Sequence, residues 1–349
     1  MEFKKLNNTI EKLLSAAAME RDDWRTLLSV GNSPEAVELL RSEAERVAIS
    51  NFGKGIFIRG LIEISSYCRN NCLYCGLRCS NREAQRYRLS KDEILECCRQ
   101  GAALGFNTFV LQGGEDIKQD DSWMLDVIHS IKELFPEKAL TLSVGERSTE
   151  SYRAMRNAGA DRYLLRHETR NDGHYSLLHP NAMSAQKRRE CLFALKELGF
   201  QTGSGMMIGS PHQTMEHLID DFQFLDILNP QMIGVGPFIP AKNTPFEDFP
   251  AGSVDFTILV VSLLRLRFPK ALIPATTALA TMAENGRERA ILAGANVVMP
   301  NLSPQDVRRK YSIYNGKKSS GSESAQEILA LEKRLASIGY HINYERGDY

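Results

Sequence analysis

Short apolar runs alternate with longer amphipathic segments from residue 58 onward, and this alternation constrains the fold more than any other feature of the sequence. It continues for about 240 residues, close to the size of a single strand-helix barrel. Eight apolar runs have the length and composition of strands, and they cover residues 58–65, 108–112, 140–144, 162–166, 203–208, 232–235, 271–275 and 296–299. Because strands that alternate with helices pair in parallel, the sequence predicts an α/β fold.

The amphipathic segments between these strands predict helices at residues 90–104, 122–135, 149–158, 185–198, 215–227, 254–267 and 284–292. Ser90 and Thr149 can cap two of their starts. Four of their ends are followed by a glycine that can adopt a left-handed conformation, namely Gly105, Gly159, Gly199 and Gly294. Eight such units predict a complete (β/α)8 TIM-type barrel, with an open doubly wound sheet as the alternative. A barrel carries its reactive residues at the C-terminal ends of its strands.

The chain of 349 residues is longer than an average domain of ~150 residues, so we expect one large domain with additions. Residues 1–55 are assigned to an N-terminal helical extension, with helices at 9–19, 24–30 and 34–49. Residues 56–302 are assigned to the barrel. Residues 303–349 are expected to pack on the barrel as a C-terminal extension, with a polar, mobile loop at 315–322 and a helix at 325–337.

Composition excludes several classes of protein. Hydrophobic residues make up 43% and charged residues 25% of the chain, which is typical of a globular protein and excludes disordered and fibrous classes. Lys plus Arg and Asp plus Glu both number 43, so no net charge attracts the protein to nucleic acid or to an anionic membrane. The sequence has no signal peptide and no apolar run long enough to span a bilayer, so we predict a cytoplasmic protein.

The seven cysteines are distributed unevenly, and four of them lie within twelve residues. Cys68, Cys72 and Cys75 follow the first predicted strand directly. Three thiolates on one short loop can bind a four-iron cluster and leave one iron open to another ligand. The alternative is a closed zinc site with Cys79 as the fourth ligand. The position at the active-site end of a barrel strand favours the cluster, and Cys79 is then an unliganded loop thiol.

This cysteine triad, with Tyr74 before its last member, resembles the signature of the radical S-adenosylmethionine (SAM) superfamily. The second strand ends in a segment that resembles the superfamily's Gly-Gly-Glu motif, where backbone groups hold the methionine amino group of SAM; it consists of Gln112, Gly113, Gly114 and Glu115. The resemblance implies a [4Fe-4S] cluster on Cys68, Cys72 and Cys75, with SAM on the open iron. It also implies reductive cleavage of SAM to a 5′-deoxyadenosyl radical.

Within this superfamily the chain is similar to the HydE family of [FeFe]-hydrogenase maturases, through segments at residues 71–78, 160–169, 236–240, 273–278 and 294–301. The resemblance implies a cysteine-bound Fe(CO)2(CN) substrate from HydG, a HydF-type scaffold as product acceptor, and an electron donor. The alternatives are a mutase or sulfur-insertion enzyme similar to methylornithine synthase or biotin synthase. A structural metal-binding interaction protein is the alternative that is not an enzyme.

The same resemblance assigns roles to residues around the barrel mouth. Arg166 and Glu168 lie two positions apart, so both can point into the mouth and bind the cofactor; the alternative is a buried ion pair that only stabilises the barrel. Arg188 is assigned to the carboxylate of SAM, with its neighbour Arg189 as the alternative. Further cofactor-binding residues are Thr141, Ser143, Met299 and Tyr311. The substrate cavity is assigned to Thr276, Thr277, Ala278 and Tyr314.

Two departures from the family pattern carry predictions. Residues 311–326 contain none of the cysteines that hold a second cluster in many HydE proteins, so we predict a single cluster. His212 stands in a loop where the family tends to have glycine, which predicts an altered loop after the fifth strand.

Overall fold

The computed structural model describes residues 2–15, 17–318, 320 and 323–349. Within these residues the chain forms fourteen α-helices and eleven strands. The helices are α1 Glu2–Leu14, α2 Arg21–Leu28, α3 Pro34–Phe52, α4 Lys91–Ala103, α5 Asp121–Leu134, α6 Thr149–Asn157, α7 Asp172–Leu178, α8 Ala185–Glu197, α9 Met215–Leu228, α10 Val254–Arg267, α11 Thr277–Met282, α12 Gly286–Leu292, α13 Gln305–Arg308 and α14 Ile328–Ser337. The strands are β1 Gly55–Ile58, β2 Gly60–Ser65, β3 Thr108–Gly113, β4 Ala139–Ser143, β5 Arg162–Leu164, β6 Gln201–Ser204, β7 Met207–Ile208, β8 Met232–Ile233, β9 Gly236–Pro237, β10 Val297–Val298 and β11 His341–Asn343.

The central sheet is parallel, in the order β2-β3-β4-β5-β6-β8. Glu63 pairs with Gln112, and Gln112 pairs with Ser143, so these three residues lie side by side on neighbouring strands. A second parallel sheet has the order β10-β1-β11. The prediction of an α/β fold with parallel strands is therefore confirmed.

Isolated parallel bridges connect the elements beyond the two edges of the central sheet, at Met232–Leu272, Pro274–Val297 and Leu61–Asn301. The prediction of a strand at 271–275 is wrong in detail, because this segment is joined to its neighbours only by such bridges. Pro274 explains part of the difference, since proline has no N–H group to donate to a ladder.

The seven predicted helices of the barrel region match α4, α5, α6, α8, α9, α10 and α12 to within two residues at each end. Ser90 caps α4 as predicted, whereas α6 is capped by Ser148 rather than Thr149, because the Ser148 hydroxyl accepts the N–H of Ser151. All four predicted terminal glycines have positive φ. The short helices α7 and α11 were not predicted.

The N-terminal helices pack against α9 and α10. α3 packs against α10, and its start is capped by Ser33. Trp24 of α2 is fully buried and stacks on Phe222 of α9 at 4.2 Å between ring centroids. The prediction of a first helix at 9–19 is wrong at both ends, since α1 spans 2–14 and buries the regularly spaced Leu6, Ile10 and Leu13.

The C-terminal segment lies against the start of the first strand. α14 matches the predicted helix, and β11, which was not predicted, pairs in parallel with β1. Beyond β11, Asp348 and the carbonyl groups of Arg346 and Gly347 accept hydrogen bonds from the buried guanidinium of Arg162. The predicted mobile loop at 315–322 includes residues 319, 321 and 322, which lie outside the described residues. None of the described helices is both long and apolar enough to cross a membrane.

Candidate active site

The cysteine loop between β2 and α4 is fixed by one arginine that the sequence reasoning missed. The guanidinium of Arg86 donates hydrogen bonds to four backbone carbonyl groups of the loop, those of Ser66, Leu77, Arg78 and Asn81. A guanidinium carries five donors in a rigid plane, so a single side chain can hold several turns of a loop in place. Arg86 therefore joins the two ends of the cysteine loop to its middle.

Cys68, Cys72 and Cys75 are all partly buried on this loop, whereas Cys79 is exposed. Burial raises the pKa of Cys68 and Cys72, and it raises the pKa of Cys75 to about 12. Thiols of this kind are protonated at neutral pH and lose their protons when they bind a metal. Within the described residues, no three His, Cys, Asp or Glu side chains are spaced to hold a single metal ion.

The Gly113–Gly114 segment at the end of β3 lies directly against the cysteine loop. A Cβ atom on Gly114 would lie 2.2 Å from the carbonyl oxygen of Tyr67 and 2.7 Å from the Cβ of Cys68. No side chain fits at this position, so only glycine allows the backbone of residue 114 to contact the loop directly. The Glu115 carboxylate accepts from Arg69 Nε at 3.0 Å and from the Glu146 N–H at 2.9 Å, which leaves it anchored rather than free.

Arg166 and Glu168 follow β5 and lie next to each other, with Arg166 Nη2 3.0 Å from Glu168 Oε2. The paired atoms are buried and at ion-pair distance but lack hydrogen-bond geometry, and Arg166 Nε has no hydrogen-bond partner among the described residues. Such atoms are costly to bury, and they are expected where a ligand completes the hydrogen bonding. The sequence-predicted pair therefore offers both a cationic and an anionic group to a zwitterionic ligand.

The structure separates the two candidate arginines on α8. Arg188 is buried, pairs with Glu146 and donates to the carbonyl oxygen of Arg166 at 2.6 Å. Arg189 instead pairs with Asp172 near the surface. Arg188 thus contacts the backbone of Arg166 directly, whereas Arg189 reaches only the carbonyl oxygen of Arg170, at 3.4 Å.

The predicted polar residues inside the sheet lie in successive layers. Gln112 and Ser143 pair in register on β3 and β4. Thr141 lies two residues before Ser143 on β4, where it borders a small interior cavity together with Met299. The hydroxyl groups of Thr141 and Thr276 are buried and have no hydrogen-bond partner among the described residues. These hydroxyls can therefore bind a ligand without breaking an existing bond.

The remaining predicted residues lie at the C-terminal side of this cavity. Tyr311 is buried and its hydroxyl accepts from Gln112 Nε2 at 3.4 Å. Burial raises the pKa of both Tyr311 and Tyr314, so both phenols stay protonated. Ala278 is buried near Gly236, but the Thr277 hydroxyl is already engaged, because it donates to Glu323 at 2.8 Å.

A buried ion pair in the same region was missed by the sequence reasoning. Glu63 is fully buried; Lys317 Nζ lies 2.6 Å from its Oε1 and Asn301 Nδ2 lies 2.9 Å from its Oε2. Lys317 also lies over the Tyr311 ring, at 5.4 Å from its centroid. One local signal was available, since Glu63 is a carboxylate inside an otherwise apolar strand, but nothing in the sequence pointed to Lys317.

Comparison with known proteins agrees with this geometry. Residues 62–225 match the family model of the Radical SAM superfamily. The [FeFe] hydrogenase maturase subunit HydE of Thermotoga maritima is 43% identical over 301 residues, which cover 86% of this chain and 83% of that protein. The chain belongs to the HydE family of radical SAM enzymes. Membership in this family implies a [4Fe-4S] cluster and SAM, and it makes the chain an enzyme of the hydrogenase-maturase type.

Other relatives extend the likeness over almost the whole chain. The 3-methylornithine synthase of Methanosarcina acetivorans is 29% identical over 97% of this chain and 95% of its own. A crystal structure of methylornithine synthase superposes with a TM-score of 0.84 at 28% identity, covering 97% of this chain and 98% of that one. The maturase HydG has the same fold, with a TM-score of 0.83 at 21% identity, and 98% of this chain covers 76% of it.

The residues present fit the two groups that the family implies. Three partly buried thiols on one loop suit an iron-sulfur cluster with one open iron. The tight approach at Gly114 and the buried paired atoms of Arg166 and Glu168 suit the amino-acid part of SAM. This agreement comes from the donor atoms themselves and is independent of the sequence identities.

Proposed function

We propose that this HydE-family enzyme cleaves SAM reductively during assembly of the [FeFe]-hydrogenase H-cluster and acts on a cysteine-bound Fe(CO)2(CN) precursor. The observation that carries the proposal is the set of three partly buried cysteines, of which Cys68 lies against Gly114 and Cys72 and Cys75 lie close enough to Glu168 to feel its charge. When bound, the cluster and SAM supply one-electron cleavage to a 5′-deoxyadenosyl radical. The protein's own task is to position SAM and to keep water away from the radical.

Each group of residues has a distinct part in this proposal. Cys68, Cys72 and Cys75 hold a single cluster, and the backbone of 112–115 receives the methionine amino group. Glu168 binds the same ammonium group, while Arg188 reaches the carboxylate by exchanging part of its contact with Glu146. Ribose and substrate contacts come from the layer around the cavity, namely Gln112, Thr141, Ser143, Thr276, Thr277, Ala278, Met299, Tyr311 and Tyr314.

The architecture that supports this proposal is a complete (β/α)8 barrel at 56–302, with extensions at 1–55 and 303–349. The bridges at Leu61–Asn301, Met232–Leu272 and Pro274–Val297 support closure of the sheet. We further propose that the substrate comes from HydG, that the product passes to a HydF-type scaffold, and that a separate electron donor reduces the cluster. All seven cysteines are free thiols, which is consistent with a cytoplasmic location.

Anaerobic reconstitution with iron and sulfide, followed by dithionite and SAM, tests the chemistry. We expect iron bound in a four-iron cluster and formation of 5′-deoxyadenosine. A Cys72→Ala variant is expected to lose both, while the matched Cys79→Ala variant keeps both. Zinc in place of iron, or no 5′-deoxyadenosine from the reconstituted protein, contradicts the proposal.

A methylornithine synthase-like activity is the second candidate, because the likeness to such enzymes extends over nearly the whole chain at 28 to 29% identity. The two functions are separated by complementation. We expect the gene to restore hydrogenase activity in cells that lack HydE but contain HydG and HydF, and we expect no 3-methylornithine from the purified enzyme. The reverse pair of results assigns the second function.

A further inference from the structure

The backbone at Glu168 is strained. Its φ angle is +64°, a conformation that is uncommon for a residue other than glycine, asparagine or aspartate. The Thr169 N–H donates to the His167 carbonyl oxygen at 2.8 Å, which closes a three-residue turn around Glu168. A turn of this kind with positive φ at its centre is rare and strained, and it persists only where its surroundings fix it.

Two buried side chains behind the turn provide this fixation. His167 Nδ1 lies 2.8 Å from Ser204 Oγ, on the neighbouring strand β6. His167 Nε2 lies 3.3 Å from Asp221 Oδ1, on α9. His167 and Asp221 are 1% and 0% exposed, so neither can contact solvent or a ligand in the cavity.

Asp221 holds the turn from both sides. The same Oδ1 atom that faces His167 also accepts the N–H of Arg170. The Arg170 N–H is therefore hydrogen-bonded to the same carboxylate that the His167 ring faces at ion-pair distance, without hydrogen-bond geometry. The third restraint is the Glu168 N–H, which donates to the Gly205 carbonyl oxygen at 3.1 Å.

A fully buried carboxylate with an unpartnered second oxygen is not needed to stabilise a helix such as α9. Asp221 Oδ2 has no hydrogen-bond partner among the described residues, and burial of such an atom is unfavourable. An apolar residue packed against His167 and Phe224 would fill the same space. A role of Asp221 in fixing the geometry of the turn explains the arrangement, whereas a role in stabilising the fold does not.

We propose that Asp221 and His167 are a positioning pair that holds Glu168 in its strained conformation and thereby sets the affinity for SAM. The inference rests on the proposed role of Glu168 as a SAM ligand. Neither residue of the pair touches SAM; both act through the backbone of the turn. The pair brings the Glu168 carboxylate to its ligand before the ligand arrives, which lowers the entropy lost on binding.

The test measures SAM binding to the reconstituted, reduced protein by the change that SAM causes in the electron paramagnetic resonance spectrum of the cluster. Asp221→Asn is expected to raise the dissociation constant roughly tenfold, because a neutral amide oxygen holds the Arg170 N–H and faces His167 less strongly than a carboxylate does. Asp226→Asn is the matched control, since Asp226 lies on the same helix and pairs with Arg267, away from the turn. The control is expected to bind SAM as the unchanged protein does.

A double-mutant cycle separates positioning from a general structural effect. If Asp221 acts through Glu168, Asp221→Asn changes the dissociation constant less than twofold in a Glu168→Gln background. A full tenfold loss in that background, or no loss in the single variant, overturns the inference. If Glu168→Gln alone binds SAM normally, the proposed role of Glu168 fails instead.

A second variant covers the case in which Asp221→Asn does not accumulate as folded protein. Ser204→Ala removes the other contact of the His167 ring and leaves Asp221 in place. It is expected to raise the dissociation constant roughly threefold, as the loss of one buried hydrogen bond does. An unchanged dissociation constant in Ser204→Ala with normal cluster content contradicts the proposal.

Discussion

At the scale of single residues, Glu168 and His212 share an unusual backbone, because both have a φ angle of +64°. His212 stands where the family tends to have glycine, and its ring contacts Phe246 and Phe249 edge-on. These contacts help to hold a conformation that glycine adopts freely and other residues do not. The altered loop after the fifth strand stays a prediction, and in this structure His212 has a φ angle that glycine adopts freely.

Strain at Glu168 leads to a stability prediction. Glu168→Gly and Glu168→Ala both remove the carboxylate and its contact with Arg166. Only glycine accepts positive φ without strain, so the glycine variant is expected to be more stable by about 1 kcal/mol. Urea unfolding of the two variants measures the difference. Equal free energies of unfolding would mean that the turn relaxes when the carboxylate is removed.

The buried pair of Glu63 and Lys317 leads to a second prediction. Lys317→Met leaves the Glu63 carboxylate buried without its cation, and we expect a loss of about 3 kcal/mol in the free energy of unfolding. The double variant Glu63→Gln/Lys317→Met removes both charges and is expected to recover most of this loss. Urea unfolding of the three proteins checks it. A double variant as unstable as the single one contradicts the expectation.

Single-residue predictions were possible where the signal is local. The spacing of Cys68, Cys72 and Cys75 lies within eight residues, so the sequence alone could indicate a shared ligand. The contacts of Asp221 with His167 and of Lys317 with Glu63 join residues that are far apart in the chain. No periodicity or spacing connects such residues, because only the folded sheet brings them together.

At the scale of elements, the helices were predicted well because their apolar periodicity and their caps are encoded within each segment. The predicted strand at 271–275 was wrong in detail and β11 was not predicted. Pairing with a neighbour decides whether a short extended segment becomes a strand, and the segment itself does not encode that pairing. α7 is a further case. It has only seven residues, too few for periodicity to predict, yet it carries His174 and is followed directly by His179.

These two histidines predict how stability depends on pH. Burial lowers the pKa of His174 from 6.5 to about 4 and that of His179 from 6.5 to about 3. Above pH 6.5 both are neutral in the folded and unfolded chain and add no pH dependence. As the pH falls from 6.5 toward 4, only the unfolded chain gains the protons, so the free energy of unfolding falls.

The measurement compares urea unfolding at pH 6.5 and pH 5 in the unchanged protein and in His174→Gln. The variant is expected to lose less stability over this interval, by about 1 kcal/mol, because one of the protons is no longer taken up. His129→Gln, at an exposed position of α5, is the matched control and should follow the unchanged protein. An identical pH response in His174→Gln would show that His174 does not contribute.

At the scale of the whole molecule, the C-terminal tail contacts residues at the N-terminal ends of the central strands. Arg162 is fully buried on β5, and its guanidinium forms an ion pair with Asp348 of the tail. The Arg162 guanidinium in turn contributes to holding the pKa of Asp348 well below its usual range. The same tail accepts a hydrogen bond from the buried Arg59 through the Gly347 carbonyl oxygen.

Removal of residues 346–349 is expected to destabilise the protein by about 3 kcal/mol, because a buried guanidinium loses its carboxylate. For a chain of this size the loss corresponds to a decrease of roughly 4 °C in Tm. Removal of Tyr349 alone is the control, since it leaves Asp348 in place. Thermal unfolding of the two truncated proteins measures the effect, and equal Tm values contradict it.

The pairing of β1 with β11 also sets an order on folding. Gly55–Ile58 is synthesised long before one of its two neighbours, His341–Asn343. The cysteine loop after β2 is likewise encoded far earlier than β11. The sheet β10-β1-β11 can therefore be completed only after His341–Asn343 has left the ribosome.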